Sequence, residues 1–117
     1  MQRKPYKHFF PVSRSSAVAQ YVADNPVKQG RVRYITAAAI SNESGTLDRA
    51  VFGLRKRDGF QRYEGGGSQT QYIPERIRKT HHFDAGEIPA WEVTGGTAAD
   101  VLVALFEGYD TVLAEKT

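Results

Sequence analysis

The pair Asp58-Gly59 stands between two runs that read as strands, Leu54-Arg55-Lys56-Arg57 and Phe60-Gln61-Arg62-Tyr63. Flanked this way, Asp-Gly predicts a two-residue hairpin turn, because both central residues of the favoured turn take positive φ. That turn pairs Arg57 with Phe60, Lys56 with Gln61, Arg55 with Arg62 and Leu54 with Tyr63. Leu54 and Tyr63 then face a core, and Arg55 and Arg62 stand opposite each other on the far face. A tight antiparallel hairpin at this point pulls the reading of the whole chain towards β structure.

The flanking segments agree. From Arg31 to Ile40, the residues Val32, Tyr34, Thr36, Ala38 and Ile40 share one face at period two. Ala50, Phe52 and Leu54 point inward from a strand over 49–57, and Trp91 and Val93 share one side of a strand over 88–94. Glu75 to Phe83 is a charged strand candidate. Ser16 to Ala23 fits a helix or a strand and ends at Asn25-Pro26. The segment from Asp100 to Thr111 poses a choice. Thr97 as a cap, Asp100 in a first turn and Gly108 as a stop describe a helix. The alternation of Val101, Val103 and Leu105 with Leu102, Ala104 and Phe106 describes a strand buried on both faces, which is preferred here because the other strands need a central partner. Six or seven strands joined by short Gly- or Asn-containing turns predict a mainly β protein, an antiparallel β-sandwich with a jelly-roll-like layout. The alternative is an α+β domain with a C-terminal helix at about 97–107.

At 117 residues the chain suits one domain. Residues 1–14 read as an extended N-terminal arm and 15–117 as the sandwich. The arm mixes Arg3, Lys4, Lys7 and Arg14 with Tyr6, Phe9 and Phe10, and Pro5 and Pro11 oppose a regular helix. Two adjacent Phe residues dock either on their own domain or on a neighbouring chain. Gly65-Gly66-Gly67-Ser68 is expected to form a mobile loop, and Ala114 to Thr117 to fray.

Several chemistries find no footing in the residues. With no cysteine, disulfides, thiolate zinc sites and cysteine nucleophiles are all excluded, which fits a reducing compartment. Met1-Gln2-Arg3-Lys4-Pro5 is basic but no apolar run follows it, so no signal peptide is expected. The longest apolar run, Val101 to Phe106, is too short to span a bilayer, and no membrane partner is expected. None of Ser13, Ser15, Ser16, Ser41, Ser44 and Ser68 lies in a Gly-x-Ser-x-Gly elbow. His81-His82 invites a metal, but adjacent residues of a strand point to opposite faces, which predicts one exposed and one half-buried imidazole. The glycine run lacks the Gly-Lys-Ser/Thr of a phosphate-binding loop. No enzyme activity, metal or cofactor is expected.

Binding is the remaining class. The net charge of +3 permits an acidic partner without demanding one. Like charges directly opposed across a hairpin cost roughly 0.2–1 kcal/mol, and acidic groups of another chain, or phosphates, would relieve Arg55 facing Arg62. Phe60 lies beside Arg57 and Arg62, as an aromatic would in a nucleic-acid-binding sheet face, but no RNP pattern is present. The candidate partner-binding residues are therefore Phe9, Phe10, Arg55, Arg57, Phe60 and Arg62.

The stretch Trp91-Glu92-Val93-Thr94-Gly95-Gly96-Thr97-Ala98-Ala99-Asp100-Val101-Leu102-Val103, together with the general layout, is similar to small accessory structural proteins of tailed bacteriophages. These are head-decoration or cement proteins and related head-to-tail or tail accessory proteins. The stretch looks like the last hairpin of such a sandwich. The resemblance implies a catalytically empty β-sandwich with an extended arm, found in the virion. It implies a homo-oligomer that buries surface against a larger lattice such as a capsid protein. A small nucleic-acid-binding β domain using the basic hairpin face is the alternative.

Overall fold

The computed structural model describes residues 2–16, 18–66 and 70–113. Among these residues there are nine strands and no helix: β1 (Gln2–Ser13), β2 (Gln20–Ala23), β3 (Arg31–Asn42), β4 (Arg49–Lys56), β5 (Gly59–Gly65), β6 (Glu75–Arg76), β7 (His81–Phe83), β8 (Ile88–Thr94) and β9 (Val101–Val112). One sheet runs β1-β9-β3 with β6 and β7 sharing the far edge, and the other runs β2-β8-β4-β5. All pairings are antiparallel. Apart from the hairpin between β4 and β5, the connections from β1 through to β6, and from β7 to β9, pass from one sheet to the other. With β6 and β7 counted as one edge position, this is the eight-strand jelly roll. The chain is thus mainly β and sandwich-like, as the alternation predicts, and the α+β alternative is set aside.

The residues that suggest a helix at 97–107 build a turn instead. Asp100 accepts a hydrogen bond from the Thr97 N–H (2.9 Å) and its own N–H donates to the Thr97 carbonyl (3.0 Å). Ala99 sits at φ 71°, outside the helical region, so nothing propagates. Trp91 to Val103 is also not a hairpin. β8 lies in one sheet and β9 in the other, and the Gly95-Gly96 turn carries the chain between them.

The β4–β5 hairpin forms, but its turn is Arg57-Asp58, because Lys56 pairs with Gly59. Neither turn residue takes a positive φ, so the Asp-Gly pair does not supply the mirror-image turn expected of it. Arg55 consequently opposes Phe60 and Leu54 opposes Gln61. The same register sets Gly53 against Arg62, and a bulge beyond it sets Phe52 against Glu64. The expected Arg55–Arg62 opposition does not exist.

Residues 2–13 are extended, as the prolines suggest, but they are a full strand rather than an arm set apart from the sheet: every residue of β1 is in register with β9. The Arg14 N–H continues that register to the Asp100 carbonyl (2.8 Å). Even-numbered residues therefore bond to β9, while odd-numbered ones, including Pro5 and Pro11, face the free edge. There a missing N–H costs no ladder bond, and Pro and Lys discourage edge-to-edge pairing. β3 carries a bulge between Ile35 and Ala37, which breaks the expected single face. Val32 and Tyr34 look outward, whereas Ala38 and Ile40 are buried.

The core lies between the sheets. Phe52, Trp91, Val93, Phe83, Leu102, Ala104, Phe106, Ile35 and Ile40 are fully buried. One end of the interior is polar. Arg33 is buried and donates to Asp110 through Nε (2.8 Å) and Nη2 (3.2 Å), to Asp24 through Nη1 (3.3 Å), and lies 3.5 Å over the Tyr6 ring. Asp24 also accepts from the Tyr6 hydroxyl and meets His8 Nδ1 at 2.9 Å. This cluster fastens β1, β3, β9 and the end of β2 together.

Candidate interaction surfaces

Five of the six sequence candidates fall on two opposite outer faces, and the sixth, Phe10, turns inward. Phe9 and Phe10 are separated by the pleat. Phe10 points inward, 4.1 Å from the His8 ring centroid and 6.2 Å from that of Phe106, and belongs to the rim of the core. Phe9 points out of the five-stranded sheet and is 64% exposed. Of the two expected dockings, Phe10 takes the first and Phe9 remains free for the second.

Phe9 is in register with Leu105 of β9, and Leu105 with Ala39 of β3; the next row joins Pro11, Val103 and Ser41. β9 is therefore buried on one face only. Leu102, Ala104 and Phe106 fill the interior, while Val103 and Leu105 are half-buried and Val101 is 42% exposed on the outside. Val103 and Leu105, with Phe9, Ala39, Glu43 and Arg76, line a groove of about 220 Å³. The segment 70–74 crosses the end of β3, its Tyr72 N–H bonding the Asn42 carbonyl (3.2 Å) and the Gln71 side chain bonding the Glu43 carbonyl (2.9 Å). Tyr72 takes a left-handed φ of 65°, and both Tyr72 and Ile73 are largely exposed. Exposed apolar surface gathered in this way, rather than scattered singly, marks an interaction site. The sequence signal was the second apolar face of β9, which reads equally well as burial within one chain.

The other candidates lie on the outside of the four-stranded sheet. Arg55 lays its guanidinium 3.9 Å over the Tyr21 ring, and Tyr21 meets Phe60 at 5.5 Å. Burial, aided by a hydrogen bond to Glu92, raises the Tyr21 phenol above its ordinary pKa. Lys56, Arg57 and Arg62 are exposed around this cluster. Tyr21 escaped the sequence reading because only the β2–β8–β4–β5 strand order brings it beside Arg55.

His81 and His82 part as their strand geometry requires. His82 is exposed near Tyr34, whereas His81 turns in against Tyr63 and bonds Glu64 at 2.5 Å. Among the described residues no three His, Cys, Asp or Glu side chains gather to hold a metal ion. No described helix is long and apolar enough to cross a membrane. Gly67 and Ser68 of the expected loop, and the tail from Ala114, lie outside the described residues.

No protein family matches the chain, and no curated protein matches it. Among solved structures, the N-terminal cellulose-binding domain of β-1,4-glucanase C from Cellulomonas fimi is similar at 17% identity and a TM-score of 0.39. The match covers 91% of this chain and 79% of that one. At that level the likeness carries no argument about what this chain binds. The jelly roll itself hosts capsid, lectin and cupin domains alike, so any functional reading has to come from the surfaces.

Proposed function

We propose that this chain is a non-enzymatic assembly protein that binds copies of itself and a larger protein lattice, as a virion accessory of the decoration or cement type. The apolar outer face centred on Phe9 and Leu105 is the observation that carries the reading. A chain with room for one modest core leaves Phe9 and Val101 in water on one side of one sheet, with Tyr72 and Ile73 exposed on the segment that crosses the end of β3. A partner chain covering them gains roughly 25 cal/mol per Å² of apolar surface removed from water. A stable interface of this kind buries about 1,200–2,000 Å² in total. The virion setting rests on the resemblance of the general layout, since residues 91–103 link the two sheets instead of forming the hairpin that the likeness implied.

Sedimentation velocity across a wide concentration range tests the reading, with Phe9→Asp and Leu105→Asp beside the unmodified chain. Association that grows with concentration and is lost in both variants is the expected result. A particle of one-chain mass at every concentration overturns it.

The Arg55–Tyr21–Phe60 cluster favours a second reading, a nucleic-acid-binding face on the opposite sheet, since basic and aromatic side chains alternate there. Binding to random single-stranded DNA that weakens steeply with salt, and is lost in Arg55→Ala, supports it; phosphate contacts impose that slope.

A further inference from the structure

The groove on the outer face is not wholly apolar. Glu43 follows β3, and the alternation of Ala37, Ala39 and Ser41 places its side chain on the same outer face, next to Val101 and Val103. Its Oε2 is buried and accepts no hydrogen bond among the described residues. Buried polar atoms are nearly always paired, and an unpaired carboxylate oxygen is costly enough to require a reason. Arg76 lines the same groove, but it is exposed and forms no ion pair with Glu43. A cation with an aliphatic stem, the stem lying along Phe9 and Leu105, would complete the Glu43 carboxylate.

This chain carries such a group at its other end. β9 runs from Val101, beside the groove, to Asp110 in the polar cluster. Asp24 belongs to that cluster and its N–H bonds the carbonyl of Pro89, which is paired with Leu54 close to the hairpin tip. The tip, with exposed Lys56 and Arg57, and the groove thus occupy opposite ends of a molecule 52 Å long.

We infer that a second copy docks head to tail, its hairpin tip laying the stem of Arg57 along Phe9 and Leu105 and delivering the guanidinium to the Glu43 carboxylate. The inference rests on the assembly reading and adds to it the polarity of the contact. A heterologous contact of this kind closes into a ring or runs on as a filament, according to the rotation between copies. A carboxylate–guanidinium pair also fixes orientation more sharply than apolar cover alone.

The test uses the full chain in sedimentation velocity, with Glu43→Gln, Arg57→Glu and the charge-swapped double variant Glu43→Lys/Arg57→Glu. Each single variant is expected to weaken self-association about tenfold or more, as losing one partner of a desolvated charge pair does, and the swap to restore it. Glu43→Gln is nearly isosteric and decides the matter even where Glu43→Lys does not fold. If both single variants associate as tightly as the unmodified chain while Phe9→Asp does not associate, the head-to-tail contact is overturned and the assembly reading stands. If a folded swap variant stays dissociated, the pairing of these two residues is wrong. A chain of single mass throughout overturns both.

Discussion

Arg33 donates through Nε to Asp110 Oδ1 at 2.8 Å across the seam between β3 and β9, with both side chains almost wholly buried. Burial works against the Arg33 charge, but hydrogen bonding to Asp110 and the attraction of the surrounding acidic groups outweigh it, and its pKa is raised. Burial and the Asp24 carboxylate likewise hold the Tyr6 phenol protonated far above its ordinary range. Arg33→Leu would leave Asp24 and Asp110 as buried charges with reduced compensation. We expect a loss of about 3–5 kcal/mol, read as a fall in the urea midpoint. Adding Asp110→Asn to that variant should recover part of it, since the uncompensated charge rather than lost packing dominates.

Gly108 lies opposite the β3 bulge, where a Cβ would stand 1.8 Å from the Tyr34 carbonyl oxygen. The obstacle is backbone and cannot rotate away. Gly108→Ala should cost about 3 kcal/mol, the upper end for a forced shift in a packed region, measured by thermal or urea unfolding. A change within a few tenths of a kcal/mol would mean that the bulge relaxes freely.

Glu64 is partly desolvated, which by itself would raise its pKa. The His81 ring and the backbone N–H groups of Arg78 (2.8 Å) and Lys79 (3.2 Å) overcome this and hold the carboxyl below its ordinary value. A folded-state pKa below the unfolded one stabilises the protein above the unfolded value, near 4.3 for a glutamate. That stabilisation is lost as pH falls through the folded value. Glu64→Gln should therefore lower stability at neutral pH and give a shallower acid limb, the two curves converging as pH falls below the folded value. Urea midpoints across pH check this; parallel curves would contradict it.

Alternation and turn chemistry made the strands of the sandwich legible, because half-buried strands write their inner face at period two. Ala50, Phe52, Leu54, Trp91 and Val93 are inward where that period puts them. Bulges were invisible. One extra residue at Thr36 turns the face of β3 over, and another at Tyr63 sets Glu64 against Phe52; Arg62 meets Gly53 instead of Arg55 because the turn falls at Arg57-Asp58, one residue earlier than Asp-Gly suggests. The Arg33–Asp24–Asp110 cluster was hidden because its members lie on three segments joined only by the fold, and single charged residues read as surface. Phe9 and Arg55 were found from composition near a turn or a proline. Their neighbours Leu105 and Tyr21 required the strand order.

Hydroxyl-radical footprinting of the dilute and the concentrated chain reads, residue by residue, whether a second copy covers the outer face. Phe9 and Leu105 report on the outer face and Tyr72 on the segment crossing the end of β3, while Val18 (70% exposed), outside the groove lining, serves as the control. Oxidation of Phe9, Tyr72 and Leu105 is expected to fall as the chain is concentrated, while Val18 keeps its dilute rate. Equal oxidation of Phe9 and Leu105 at every concentration, in a sample shown to associate, would contradict it.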